Sequence, residues 1–103
     1  MAWTEDVAHL FGGAFLANAI PHLAKGLAGE RFPTPFARSP GVGTSPPWVN
    51  ALWGLVNLGV GYLLACGMGT VSLGLTRWTI MVGVGFWITA LGLALWFGRV
   101  RKR

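Results

Sequence analysis

The chain has 103 residues, of which 53% are hydrophobic and only 11% charged. A soluble domain carries about 25% charged residues, so this chain lacks the polar surface to stay in water, and it is too apolar to be disordered. One domain fills this length, and the single cysteine, Cys66, excludes an internal disulfide framework or a cysteine-cluster metal site.

The opening Met1-Ala2-Trp3-Thr4-Glu5-Asp6 holds two acids and no base. A secretory leader starts with positive charge, so the first apolar stretch is expected to stay in the mature protein. Ala2 stands where myristoylation needs glycine, and no prenylation motif is present. The first predicted span covers 6–28 and is the weakest, interrupted by His9, Asn18, Pro21, His22 and Lys25.

Residues 29–47 contain five of the six prolines and three glycines, so neither neighbouring helix continues through them. The run from Arg31 to Arg38 is expected to be extended, because a residue before proline is pushed towards β or PPII. Its sparse polarity predicts a stiff connection folded against the helices rather than a loose linker. The alternative is a docking strip for a partner protein, although the P-x-x-P spacing of a PPII ligand is missing.

The second predicted span, 48–70, and the third, 78–98, contain no charged residue. Each of the three is about 21–23 residues long, enough for a helix to cross a hydrocarbon core of about 30 Å. In lipid such spans must be helical, since an open sheet edge would find no partner. The turn at 72–77 predicts an antiparallel hairpin of spans two and three. The expected fold is therefore all-α: a single domain of three transmembrane helices with a Pro-rich loop between the first two.

Half of the eight basic residues lie in the tail 99–103. A nucleic-acid reader spreads its cations over a face among stacking aromatics; a basic cluster after an apolar run is an orientation signal, and no nucleic-acid partner is expected. With the C-terminus cytoplasmic, seven basic residues fall inside and only Arg77 outside, with Glu5 and Asp6 also outside. That assigns the N-terminus to the exterior. Trp3, Trp48, Trp78 and Trp96 fall near span ends, as an interfacial belt requires.

Polar groups inside a bilayer are costly and mark candidate sites. Asn18, Asn57 and Thr89 are each predicted to lie roughly 13–15 Å from the inner boundary, forming one polar layer. Its simplest role is helix glue, with a pocket for a headgroup or ion as the sharper alternative. On span two, Asn50, Gly54, Asn57 and Gly61 share a face that Ala65 and Gly69 extend; Ala90, Ala94 and Gly98 form a similar stripe on span three. Such small residues let backbones approach closely.

Asn18, His22 and Lys25 form a stripe on span one. Gly54 is expected to leave room for the His22 imidazole and Trp53 to offer it a ring face. With Arg31 and Arg38 nearby, this becomes a candidate site for an anionic headgroup or a partner's carboxylate. The plainer role is a His22 bonded to backbone freed by Pro21. His9 and His22 stand 13 residues apart, about 220° around a straight helix, so ligation of one centre by both within a chain is disfavoured unless the kink at Pro21 realigns them.

No nucleophile–base–acid set, zinc-protease motif or phosphate loop is present, and the only acids, Glu5, Asp6 and Glu30, lie at or outside the span boundaries, leaving no carboxylate inside to couple proton transport. The chain is expected to be no enzyme, without cofactor or metal. Its expected role is a small multi-pass subunit of the cell membrane, embedded in the lipid bilayer and assembling as a homo-oligomer or within a larger membrane complex. The rival is a self-assembling carrier or channel, and a haem- or chlorin-binding subunit is a third possibility.

Overall fold

A computed structural model describes residues 2–101. The helices are α1 (Ala2–Leu27), α2 (Pro47–Cys66) and α3 (Arg77–Val100). All three are long and apolar enough to cross a membrane. Between α1 and α2 lie β1 (Phe32–Pro33) and β2 (Thr44–Ser45), which pair antiparallel with Phe32 opposite Ser45. The fold is thus mostly helical, with a small ribbon that composition alone did not suggest.

The helix ends follow local chemistry. α1 closes on Gly29 at φ +75°, with Glu30 N donating to Lys25 O at 2.9 Å. This is a Schellman-type stop, which needs a residue tolerant of left-handed backbone. α2 begins with Pro46 at its cap and Pro47 in its first turn, where a missing N–H costs nothing. α2 stops at Cys66, four residues short of the predicted span, because Gly67 and Gly69 (φ +71°) break it. The connection to α3 is therefore 67–76 rather than a turn at 72–77. Thr76 caps α3 by accepting from Thr79 N at 3.3 Å.

The expected hairpin of spans two and three does not form a packed pair. α1 lies in the middle and carries both neighbours, α2 antiparallel on one side and α3 parallel on the other. α2 and α3 scarcely meet, and Trp78 Nε1 donating to Ala65 O at 2.7 Å bridges their near ends.

Close approach of backbones makes both interfaces. A Cβ at Gly61 would lie 2.9 Å from Leu16 N, and one at Gly54 would lie 2.8 Å from Leu23 N. From the α1 side, a Cβ at Gly12 would come within 2.7 Å of Ala65 N, and Gly26 sits tighter still on Ala51. Gly54, Gly61 and Ala65 therefore pack as the small-residue spacing predicts. Gly69 does not: it lies in the 67–76 connection, with the Glu5 side chain against it. On the other side Gly13 meets Val82, and Gly85 meets the Leu10 carbonyl.

Ala90 and Ala94 face α1 less closely. They line an open apolar groove with Ala17 and Ile20. A Cβ at Gly98 would meet nothing within 4 Å, so the small stripe of span three is largely unfilled.

Candidate functional site

The most enclosed polar cluster joins α1, α2 and the ribbon. Asn50, 0% exposed, donates Nδ2 to Phe32 O at 2.9 Å and to Ser45 O at 3.2 Å. That fixes the amide, so Oδ1 faces His22 and accepts from Nδ1 at 2.8 Å. The His22 ring, 2% exposed, is ringed edge-on by Phe32, Trp53 and Phe97 at centroid distances of 5.6, 6.5 and 6.2 Å. Trp53 thus stands where the sequence places it. Gly54 does not receive the imidazole; Leu23 fills that space. His22 also bonds a side chain rather than the backbone around Pro21.

The Pro-rich segment folds onto this cluster, as its composition predicts. Phe32, Pro33, Thr34 and Ser45 are buried, and Thr34 Oγ1 lies 2.5 Å from Ser45 Oγ. Extended backbone continues only to Thr34. Turns follow from Pro35, held by Gly41 N donating to Thr34 O at 2.9 Å. α3 reaches the same segment through Trp96 Nε1, which donates to Gly41 O at 2.8 Å.

The cations grouped with His22 in the sequence do not converge on it. Lys25 Nζ binds Glu30 Oε1 at 2.9 Å. Arg31 clamps the ribbon, donating to Thr44 Oγ1 and Thr44 O, each at 3.1 Å. Arg38 is exposed and makes no side-chain hydrogen bond among the described residues.

The Lys25 ammonium holds the Glu30 carboxyl below its ordinary pKa, first through the hydrogen bond and then through charge attraction. A depressed folded-state pKa contributes stability above the ordinary carboxylate range, which is lost as pH falls through the lowered value. An NMR titration of Glu30 should therefore show a low midpoint, and Lys25→Met should return it towards the ordinary one.

The predicted mid-membrane layer forms in part. Asn18 Nδ2 donates to Asn57 Oδ1 at 2.9 Å, and Asn57 Nδ2 donates to Trp53 O at 2.8 Å. Thr89 lines the same shallow recess but makes no side-chain hydrogen bond among the described residues. A double-mutant cycle with Asn18→Ala and Asn57→Ala should give a coupling of about 0.6–2 kcal/mol in micelles. Strict additivity would mean that the amide pair contributes nothing.

The third polar cluster, at the N-terminal end of α1, is not evident from spacing. His9 Nε2 donates to Met68 O at 2.6 Å, and Arg77 clasps Asp6 with nitrogen–oxygen distances of 2.8–2.9 Å. Glu5 and Asp6 precede His9 by about one turn, the only clue the sequence carried. His9 and His22 are separated by a rise of roughly 20 Å along α1, and each already donates to a partner within the chain. Among the described residues no three His, Cys, Asp or Glu side chains converge to hold a metal.

These clusters order the bundle, and the one at the N-terminal end of α1 shares its recess with the hydroxyls of Thr70, Ser72 and Thr76. Cys66 is partly buried and unbridged. No family model, no curated protein and no solved structure matches the chain.

Proposed function

We propose that this is a small non-catalytic protein of the cell membrane that works by lateral association, as a subunit of a larger membrane complex or as a homo-oligomer. The N-terminus lies outside and the basic C-terminus in the cytoplasm, in keeping with the positive-inside rule. The observation that carries the reading is the outer face of α3. Only 6% of that span is buried, against 39% of α1. Trp87, 72% exposed, stands one turn from Gly83, where an added Cβ would touch nothing within 4 Å. A bulky ring beside a hole, mid-span and far from the interface that tryptophan prefers, suits a second helix packing there.

The carrier reading needs polar groups free to line a path. Here Asn18, Asn57, His22 and Asn50 are spent on one another, which favours a structural role. For haem or chlorin ligation, the enclosure of His22 by three aromatic rings is equally unfavourable.

Crosslinking in native membranes, followed by native mass measurement in mild detergent, tests the proposal. A species larger than the monomer is expected, and Gly83→Phe should abolish it without lowering the unfolding temperature. A parent protein that remains monomeric and partnerless in both experiments overturns the reading. Reporters fused to the two ends should read opposite sides; the same side from both overturns the orientation.

A further inference from the structure

We infer that the groove between α1 and α3 is a binding site for one anionic phospholipid, with an acyl chain along the groove and the phosphate against Arg101. α1 and α3 touch closely where Gly13 and Gly85 cross and then separate. The gap holds about 330 Å³ and is lined by Ala17, Ile20, Phe86, Ala90 and Ala94, with Phe97 and Phe32 as its end wall. These walls offer carbon almost throughout, so they suit a hydrocarbon chain and no polar solute.

The end wall carries the charge. The Phe32 and Phe97 ring centroids lie 4.6 Å apart with the planes tilted by 55°, and the Arg101 guanidinium lies over the Phe32 ring at 4.8 Å. Lys25, Arg31 and Arg77 spend their donors on Glu30, Thr44 and Asp6. Arg101 is exposed and donates no side-chain hydrogen bond among the described residues. Glu30 feels its charge but is bonded to Lys25. A guanidinium held by a ring face at the mouth of an apolar slot offers its N–H fork to a phosphate. Because it sits at the end of α3, it also stands where headgroups lie.

The site can be read directly. Delipidated protein in a zwitterionic detergent is offered equal amounts of phosphatidylglycerol and phosphatidylcholine with identical palmitoyl and oleoyl chains, and bound lipid is counted by native mass spectrometry. One retained lipid is expected, with phosphatidylglycerol favoured about fivefold, the effect of one basic side chain near a membrane surface. Arg101→Gln should bring the ratio close to one without changing total retention. Ala94→Trp should fill the groove and remove both lipids. If Ala94→Trp fails to fold, Arg101→Gln, a surface change, still decides.

Equal retention of the two lipids by the parent overturns the inference, as does a folded Ala94→Trp protein that binds normally. Displacement of phosphatidylglycerol by excess inorganic phosphate would show that the cation alone binds and would also overturn it. Dimers forming through α3 on delipidation, with no lipid retained, would assign the groove to a second copy instead.

Discussion

Asn50→Leu should be the most damaging single substitution in the loop-facing half of the bundle. It strands the His22 Nδ1–H, now without its acceptor at 2.8 Å, and the Phe32 carbonyl, now without its donor at 2.9 Å. A buried polar group left unpaired costs about 1–3 kcal/mol, so two together cost about 4 kcal/mol. His22→Phe strands only the Asn50 Oδ1 and should cost about half as much on the same scale. Equilibrium unfolding in mixed micelles measures both. Amide exchange across residues 31–46 should rise sharply in Asn50→Leu, because Asn50 also holds Ser45 O and thus both ribbon strands. If Asn50→Leu unfolds with the parent and its ribbon stays protected, water replaces the amide there and the cluster is not a structural keystone.

Three spans were legible in the sequence because bilayer thickness sets a length and hydrocarbon excludes charge. Their arrangement was not. Composition ranks the first span weakest, yet it is the central helix. His9, Asn18 and His22 interrupt its apolar run because they face partners on α2 and in the connections. α3, the cleanest apolar segment, is the least buried by its neighbours. For a helix in lipid, apolarity reports contact with the solvent rather than contact with the core, and so the ranking by hydropathy runs opposite to the ranking by burial.

The same physics separates the site residues that spacing found from those it missed. The Asn18–Asn57 pair was suggested by their equal predicted depth, which lets two amides on facing helices bond each other. Gly54 and Gly61 followed from helical period. Asn50 belonged to the same face, but its main partners, Phe32 O and Ser45 O, lie on a ribbon whose register no local rule fixes. Lys25 and Arg31 lay near His22 in sequence, yet the Gly29 turn swung Glu30 onto Lys25 and the ribbon gave Arg31 the Thr44 carbonyl. Proximity in the chain located the charges without showing which were already spent. Gly13 and Gly85 were lost for a related reason: among 16 glycines, only tertiary crossing distinguishes the two that matter at this interface.

That distinction makes the largest packing prediction. Gly85→Ala should destabilise the bundle by about 3 kcal/mol, the upper end for overpacking. The obstacle to the new methyl group is the Leu10 carbonyl, which is helix backbone and cannot swing aside as a side chain would. α3 must shift away from α1, and the bidentate Arg77–Asp6 contact that spans the same two helices must stretch. Gly92→Ala is the matched control. It lies two turns further along nearly the same face, but the helices have separated there and its Cβ would meet nothing within 4 Å. Helix propensity should then dominate and stabilise the variant by about 0.5–1 kcal/mol. Unfolding in micelles, with near-ultraviolet circular dichroism of the tryptophans as the packing signal, compares the two. Opposite signs are expected. If both variants melt with the parent, α1 and α3 do not meet at Gly85, and the divergence that opens the groove beyond it is absent as well.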